Sequence, residues 1–270
     1  MSKSAWRRDF TVGRYRELLI ALLQSGYTSW NPFDPQEREN PLTGKRLVML
    51  RHDVDKPSRM TETLAALENH FGLRAVYYFR RGPRGFDAEV IGRVSSLGHA
   101  IGYHYETLCK SRGDFPQAIE LFRKELAELR RMVPVTTACM HGSPLSKWDN
   151  RRLWERYDYR ELDIRFDPYF DVDFNKVLYL TDTGRKWNGQ AAVIRDRVPS
   201  GFRLEMKTTA DMIRALDRGT LPDRVMISSH PHRWDGRPAP WLRELFWQNI
   251  KNVGKSILGR LRPQVSGVKR

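Results

Sequence analysis

Apolar and polar positions along this chain follow two rhythms. Short apolar runs rich in Val, Ile, Leu and Tyr are separated by longer stretches in which apolar residues return every third or fourth position. Leu47-Val48-Met49-Leu50 predicts a first strand running into Arg51-His52-Asp53-Val54-Asp55, with Ser58 to His70 as the following helix. Ala75 to Phe79 predicts a second strand, Asp87 to Leu97 a helix, and Ala100 to Tyr103 a third strand stopping at His104. Between Phe115 and Met132 the residues Ile119, Leu121, Phe122, Leu126 and Leu129 recur with Glu and Lys among them, which predicts an amphipathic helix closed by Pro134. Thr136 to Met140 predicts a strand ending at His141, Val177 to Thr181 one before Asp182, and Val225 to Ser228 one before His230. Strands alternating with helices imply an α/β protein built on a parallel sheet or barrel with crossover helices.

The polar residues out of keeping with such runs fall where the predicted strands end: Asp53 and Asp55, His104, His141, Asp182 and His230. Sites in parallel α/β folds sit at the carboxyl ends of strands, so these residues are expected to converge on one rim. Asp53 and Asp55, one residue apart, project to the same side of an extended segment while Val54 packs the other way. One can hold a metal while the other takes a proton; a solvated turn or a cap for the next helix is the plainer alternative. His99 and His104 lie five residues apart and point to opposite faces of an extended run, so His104 is the candidate ligand and His99 a structural histidine. Glu106 can return to the face of His104 as a ligand or a partner of one. His141 opens a tight His-Gly-Ser-Pro loop that delivers a ligand, a substrate contact through Ser143, or only a turn. His230 and His232 share an extended face around Pro231, and a histidine held rigidly at a strand end suits general acid work near neutrality.

Composition narrows the choices. With 270 residues and 40% hydrophobic content the chain can bury one sizeable core, expected as a single domain over residues 1–240. Two cysteines, Cys109 and Cys139, exclude a Cys-rich zinc site, so any metal must use His and carboxylate. The apolar run Leu18 to Leu23 is too brief for a signal core or a membrane span, which predicts a cytoplasmic protein. A net charge of +15 implies an acidic partner: nucleic acid, anionic lipid, or a substrate bearing phosphate or carboxylate. Neither zinc-finger spacing nor an RNA-recognition signature occurs, so no specific nucleic acid is expected. In the tail Arg243, Lys251, Lys255, Arg260, Arg262, Lys269 and Arg270 face a single acid, Glu244. Residues 241–262 repeat Trp241, Leu242, Leu245, Phe246, Ile250, Val253, Ile257, Leu258 and Leu261 at helical spacing. That predicts an amphipathic basic helix, either lying on an anionic membrane or closing the barrel, followed by a mobile basic end over 263–270.

From about Leu47 to Trp234 these pieces resemble the NodB-homology polysaccharide deacetylases, and among them the divergent WbmS-like branch of O-antigen gene clusters. The resemblance implies a distorted (β/α) barrel of about seven parallel strands. It also implies a metal-dependent hydrolase acting on a non-peptide C–N bond of an acylated amino sugar, either free or nucleotide- or lipid-linked. The family's aspartate pair corresponds to Asp53, implied as general base, and Asp55, implied as metal ligand. Its GHEIGxH run is matched by Gly98 to His104, implying His104 as a ligand, and its terminal strand histidine corresponds to His230, implied as the acid. The expected ion is zinc. Two departures stand out: Leu108 occupies the place of a second histidine, for which Glu106 or His141 could substitute, and His141 to Pro144 replaces an arginine-proline loop, leaving that arginine's role unfilled. Arg51, Ser143, Asp182, Arg185, Trp187, His232 and Trp234 are the expected substrate contacts, although Trp148, Trp187 and Trp234 could equally be core. The alternatives are a metal-independent relative acting on another C–N bond or binding glycan, and a basic membrane- or nucleic-acid-binding protein without catalysis.

Overall fold

The computed structural model describes residues 8–32, 44–143, 146–187, 198–202, 206–244 and 246. Seven parallel strands form one sheet: β1 (Tyr27–Ser29), β2 (Arg46–Val54), β3 (Ala75–Phe79), β4 (Ala100–Tyr105), β5 (Ala138–Met140), β6 (Leu178–Thr181) and β7 (Arg224–Ser229). Their order is β5-β4-β3-β2-β7-β6. β1 pairs with the first residues of β2, Arg46–Val48, on the edge that β3 takes over from Leu50 to Val54. The sheet curls into a half-barrel, as expected for the (β/α) class.

Helices cover the outside: α1 (Val12–Gln24), α2 (Arg59–His70), α3 (Ala88–Ser96), α4 (Thr107–Lys110), α5 (Phe115–Arg130), α6 (Pro168–Asp171) and α7 (Thr209–Asp217). Their starts are set by local chemistry. Asp87 accepts from the Val90 amide, Asp114 accepts from the Gln117 amide, and capping boxes open α2 at Ser58 with Thr61 and α7 at Thr208 with Asp211. The alternation of β2 decides which residues meet what. Val48, Leu50 and Val54 join the core between sheet and helices, whereas Met49 joins Val76, Tyr78, Cys139 and Met226 in the smaller core inside the curl. Arg51 and Asp53 lie on the inner side and His52 on the helix side.

The strands and the three longer helices between Ser58 and Met132 appear where the hydrophobic pattern places them. Five of the named elements do not follow from it: α1, β1, the one-turn helices α4 and α6, and α7. In α1, Tyr15, Leu18, Leu19 and Leu22 form a buried stripe packed against α7. The basic C-terminal helix expected over 241–262 is described only in part, since residues 238–244 and 246 are helical and the rest, with the 263–270 end, lies outside the described residues. Among the described residues no helix is long and apolar enough to cross a membrane.

Candidate functional site

The pleat of β2 brings Arg51 and Asp53 side by side on the inner face, and the chain leaves the sheet at Asp55. Arg51 donates through Nε and Nη2 to both oxygens of Asp53, each at 2.8 Å. Burial alone would raise the Asp53 carboxyl, but the Arg51 guanidinium outweighs it and holds the group below its ordinary value, so it stays ionised. Arg51 is fully buried, its Nη2 also 3.3 Å from the Tyr169 hydroxyl. Nε and Nη2 thus serve Asp53, while the equally buried Nη1 has no hydrogen-bond partner.

Asp55, His104 and His141 present ligand atoms that all lie within 4.8 Å of one another. Oδ1 of Asp55 is 3.1 Å from Nε2 of His141 and 3.6 Å from Nε2 of His104. This oxygen is buried yet makes no hydrogen bond, the condition of an atom shaped for a cation. His104 Nδ1 lies 3.0 Å from the Cys139 carbonyl, which fixes the proton on that nitrogen and leaves the Nε2 lone pair free to bind a cation. His141 Nδ1 accepts from the Ser143 amide at 3.2 Å and lies 3.0 Å from the Ser143 hydroxyl and 3.4 Å from Glu106 Oε2, contacts that fix the ring's orientation. Burial works against ionised Asp55, but the His141 imidazole and the close approach of His104 hold its carboxyl well below the carboxylate range. Two imidazoles and a carboxylate suit a divalent ion such as zinc. Binding it requires Arg80 to release His141, because Arg80 Nη1 lies 3.1 Å from the same Nε2.

A second group, Asp53, His104 and Cys139, is equally compact but fits less well, since both Asp53 oxygens already accept from Arg51. Of the two substitutes for the histidine missing at Leu108, His141 joins the cluster directly. Glu106 stands behind it, within 3.5 Å of Arg80 and 3.4 Å of Lys110. Leu108 itself is buried in the outer core.

His230 leaves β7 held by Asp182. Its Nδ1 is 2.6 Å from Asp182 Oδ1 and its backbone amide donates to Oδ2 at 2.9 Å. Arg233 Nη1 at 2.9 Å and the Trp234 indole at 3.1 Å complete the carboxylate's partners. Burial would raise Asp182, but the His230 and Arg233 charges depress it strongly, so it is a fixed anion that orients His230 and leaves Nε2 available. His230 follows Ser229, the register partner of His52, so it continues β7 beside Asp53 on β2.

The remaining candidates divide. Ser143 contacts His141 and carries φ of 36°, a left-handed conformation that is costly for a residue with a side chain and is held by the loop around it. His232 is partly buried and lowered to about 3, by desolvation first and then by Arg233; its Nδ1 has no hydrogen bond and its Nε2 lies 3.9 Å from Glu244. Arg185 reaches the Arg233 and Asp9 carbonyls and lies over Phe10 and Trp241. Trp187 and Trp234 are enclosed with Phe10 and Tyr15, so neither offers a ring face to a sugar. His99 is structural, bonded to the Ala65 carbonyl and the Ala75 amide. Arg80, Asn150, which donates to the His141 carbonyl at 2.8 Å, and Arg233 were not foreseen. Only Arg233 carried a signal, lying three residues beyond His230.

No family model and no curated protein matches the chain. Among solved structures it is similar to the family 4 carbohydrate esterase from Streptomyces lividans in complex with acetate, at 14% identity over 77% of this chain and 88% of that one, TM-score 0.38. It is similar to a Streptococcus mutans CE4 esterase at 16% identity, covering 79% and 84%, TM-score 0.43. It is also similar to peptidoglycan deacetylase PdaC from Bacillus subtilis at 10% identity, covering 81% and 98%, TM-score 0.39. At such identities no residue role is transferred from them, and the roles of the side chains rest on the geometry of this chain.

Proposed function

We propose that the chain is a metal-dependent hydrolase that removes an acyl group, acetyl in the first instance, from the nitrogen of an amino sugar. The observation that carries this reading is the meeting of Asp55, His104 and His141 within 4.8 Å beside an ionised Asp53 and an anchored His230. Asp55, His104 and His141 would hold a divalent cation, which would supply Lewis acidity to the amide carbonyl and to water. Asp53, kept ionised by Arg51, accepts the proton of the attacking water. His230, its Nδ1 fixed on Asp182, donates from Nε2 to the departing nitrogen, without which an amine leaves poorly from an acyl carbon. The C–N bond breaks, the acyl group leaves as carboxylate and the sugar keeps a free amine.

The net charge of +15 favours a substrate on a phosphate-bearing carrier, nucleotide- or lipid-linked, as surface-polysaccharide or O-antigen synthesis would present in the cytoplasm. Exposed Leu242 and the basic stretch after it favour contact with an anionic membrane face. One observation favours a second reading, metal-independent hydrolysis or glycan binding: Arg80 already bonds the His141 nitrogen turned to Asp55.

Elemental analysis after zinc reconstitution decides between them. The first reading expects one ion per chain, lost in His104→Ala and His141→Ala, and weakened by about 10–100-fold in Glu106→Ala, which touches a ligand without being one. Protein that takes up no metal leaves the second reading standing.

A further inference from the structure

On the helix side of the sheet, directly behind the site, lies a buried polar cluster that the chemistry above does not use. His52 Nε2 is 2.6 Å from Glu68 Oε1 and its Nδ1 is 2.9 Å from Ser229 Oγ. Glu68 also accepts from the Tyr77 hydroxyl at 2.6 Å and from the Tyr15 hydroxyl. His52, Glu68 and Ser229 are at most 1% exposed. Serine, histidine and glutamate stand here in the order of a hydrolytic triad, yet Ser229 faces the helices and is sealed, so no carbonyl can reach it. A charged group is not buried in an outer core for solubility, and replacing such networks by apolar side chains is often neutral or stabilising. A positional role is the remaining explanation.

His52 and Ser229 are the last register pair of the β2–β7 ladder. The next residues along the two strands are Asp53 and His230. We propose that the Glu68–His52–Ser229 chain is a spacer: by tying the end of β7 to β2 from behind, it sets the distance and aim of His230 across the substrate from Asp53, which Arg51 holds independently. His52 and Ser229 are thus positioning residues that touch no reacting atom. Tyr15 and Tyr77 hold Glu68, and Glu68 holds the imidazole, so the tie is anchored in α1, α2 and β3 and does not slide with the strand ends. This inference rests on the roles proposed above for Asp53 and His230.

The test uses the full-length zinc-reconstituted protein, Ser229→Ala and Ser229→Thr, on two probes. N-acetylglucosamine tetramer has an amine leaving group that needs a proton from His230; para-nitrophenyl acetate has a leaving group that departs without one. Ser229→Ala is expected to lower kcat on the tetramer by about 10–100-fold with KM little changed, because misplacing a catalytic group by a fraction of an ångström to an ångström costs rates of this order. It is expected to leave the ester rate within about twofold of wild type, to keep one zinc per chain, and to be rescued by Ser229→Thr, which restores the hydroxyl. Equal losses on both probes, or no loss on either, would overturn the spacer role while leaving the hydrolase reading intact. Wild-type protein inert on both probes would overturn the hydrolase reading, and the spacer role with it.

Discussion

Asp182 illustrates how much a single carboxylate can fix. It accepts from the His230 ring, the His230 amide, Arg233 and Trp234, and so sets both the tautomer and the direction of the imidazole. Asp182→Asn keeps the size and removes the charge that holds the proton on His230 Nδ1. The expected result is a fall in kcat on an N-acetyl amino sugar of about 10–100-fold with zinc content unchanged, checked by steady-state kinetics and elemental analysis. Asp167 behaves in the opposite sense. It is fully buried, and desolvation pushes it up to about 7 from 3.8, despite hydrogen bonds from the Tyr169 amide and the Tyr105 hydroxyl. The folded state therefore binds the proton more tightly than the unfolded chain. Its contribution to stability is complete below the unfolded value and is lost as pH rises through about 7. Melting temperature followed from about pH 5 to about pH 8 is expected to fall by several degrees in the wild type and less in Asp167→Asn, which cannot ionise. An unchanged slope in the variant would assign the loss to other groups. At this scale the sequence was informative where spacing and chemistry coincide, as in Asp53-Val54-Asp55. It was silent where a partner comes from far away: nothing local to Trp187 says that Phe10 will cover it, and nothing near His141 announces Arg80.

Whole elements were legible in proportion to their length and to the contrast between their two faces. α5, with sixteen residues and a polar face broken by clear apolar steps, follows directly from its sequence. β1 has three residues and takes its order from β2, and α7 has nine, announced only by the Thr208 and Asp211 capping box. β4 shows a subtler demand. A Cβ on Gly102 would lie 2.4 Å from the Tyr78 ring and 3.1 Å from the Thr137 methyl, and Tyr78 cannot move freely because its hydroxyl bonds Thr137 at 2.8 Å. Gly102→Ala is therefore expected to cost about 1–3 kcal/mol by overpacking, read as a lower urea midpoint. Because Arg51 lies 5.7 Å over the same ring, the shift should pass to Asp53 and lower activity even in protein that remains folded. A variant as stable as wild type would show that Tyr78 has room to turn. The strand ends themselves were the most readable feature, since a polar residue at the close of an apolar run departs from the pattern that precedes it.

Across the molecule, the segment at Asp9 meets the start of the helix at Trp241. Asp9 accepts from the Thr209 amide through its carboxylate, and its carbonyl accepts from Arg185 and from the Trp241 indole at 2.8 Å. The first turn of the C-terminal helix is thereby fastened to the barrel, while Leu242 at 58% exposure stays outside. If the basic stretch beyond it meets a membrane, full-length protein should sediment with vesicles containing anionic lipid, not with neutral ones. It should be released by about 0.5 M salt, where screening shortens the reach of each charge to a few ångströms. A chain ending at residue 240 should lose this binding and, having lost Trp241, melt at a lower temperature. Full-length protein that ignores anionic vesicles would remove the membrane from the proposed setting of the enzyme.

The central strand has a further consequence, for how the protein is made. β2 waits for β7 on one edge, and Ser229 closes on His52 across 177 residues of sequence. At synthesis rates of 5–20 residues per second, roughly ten to thirty-five seconds separate the two strands' emergence from the ribosome. Throughout that interval a long apolar edge of the nascent sheet stands open, the kind of surface on which chains stick to one another. Chaperone demand during translation, and aggregation of products terminated before residue 224, are written into the order in which this sheet receives its strands.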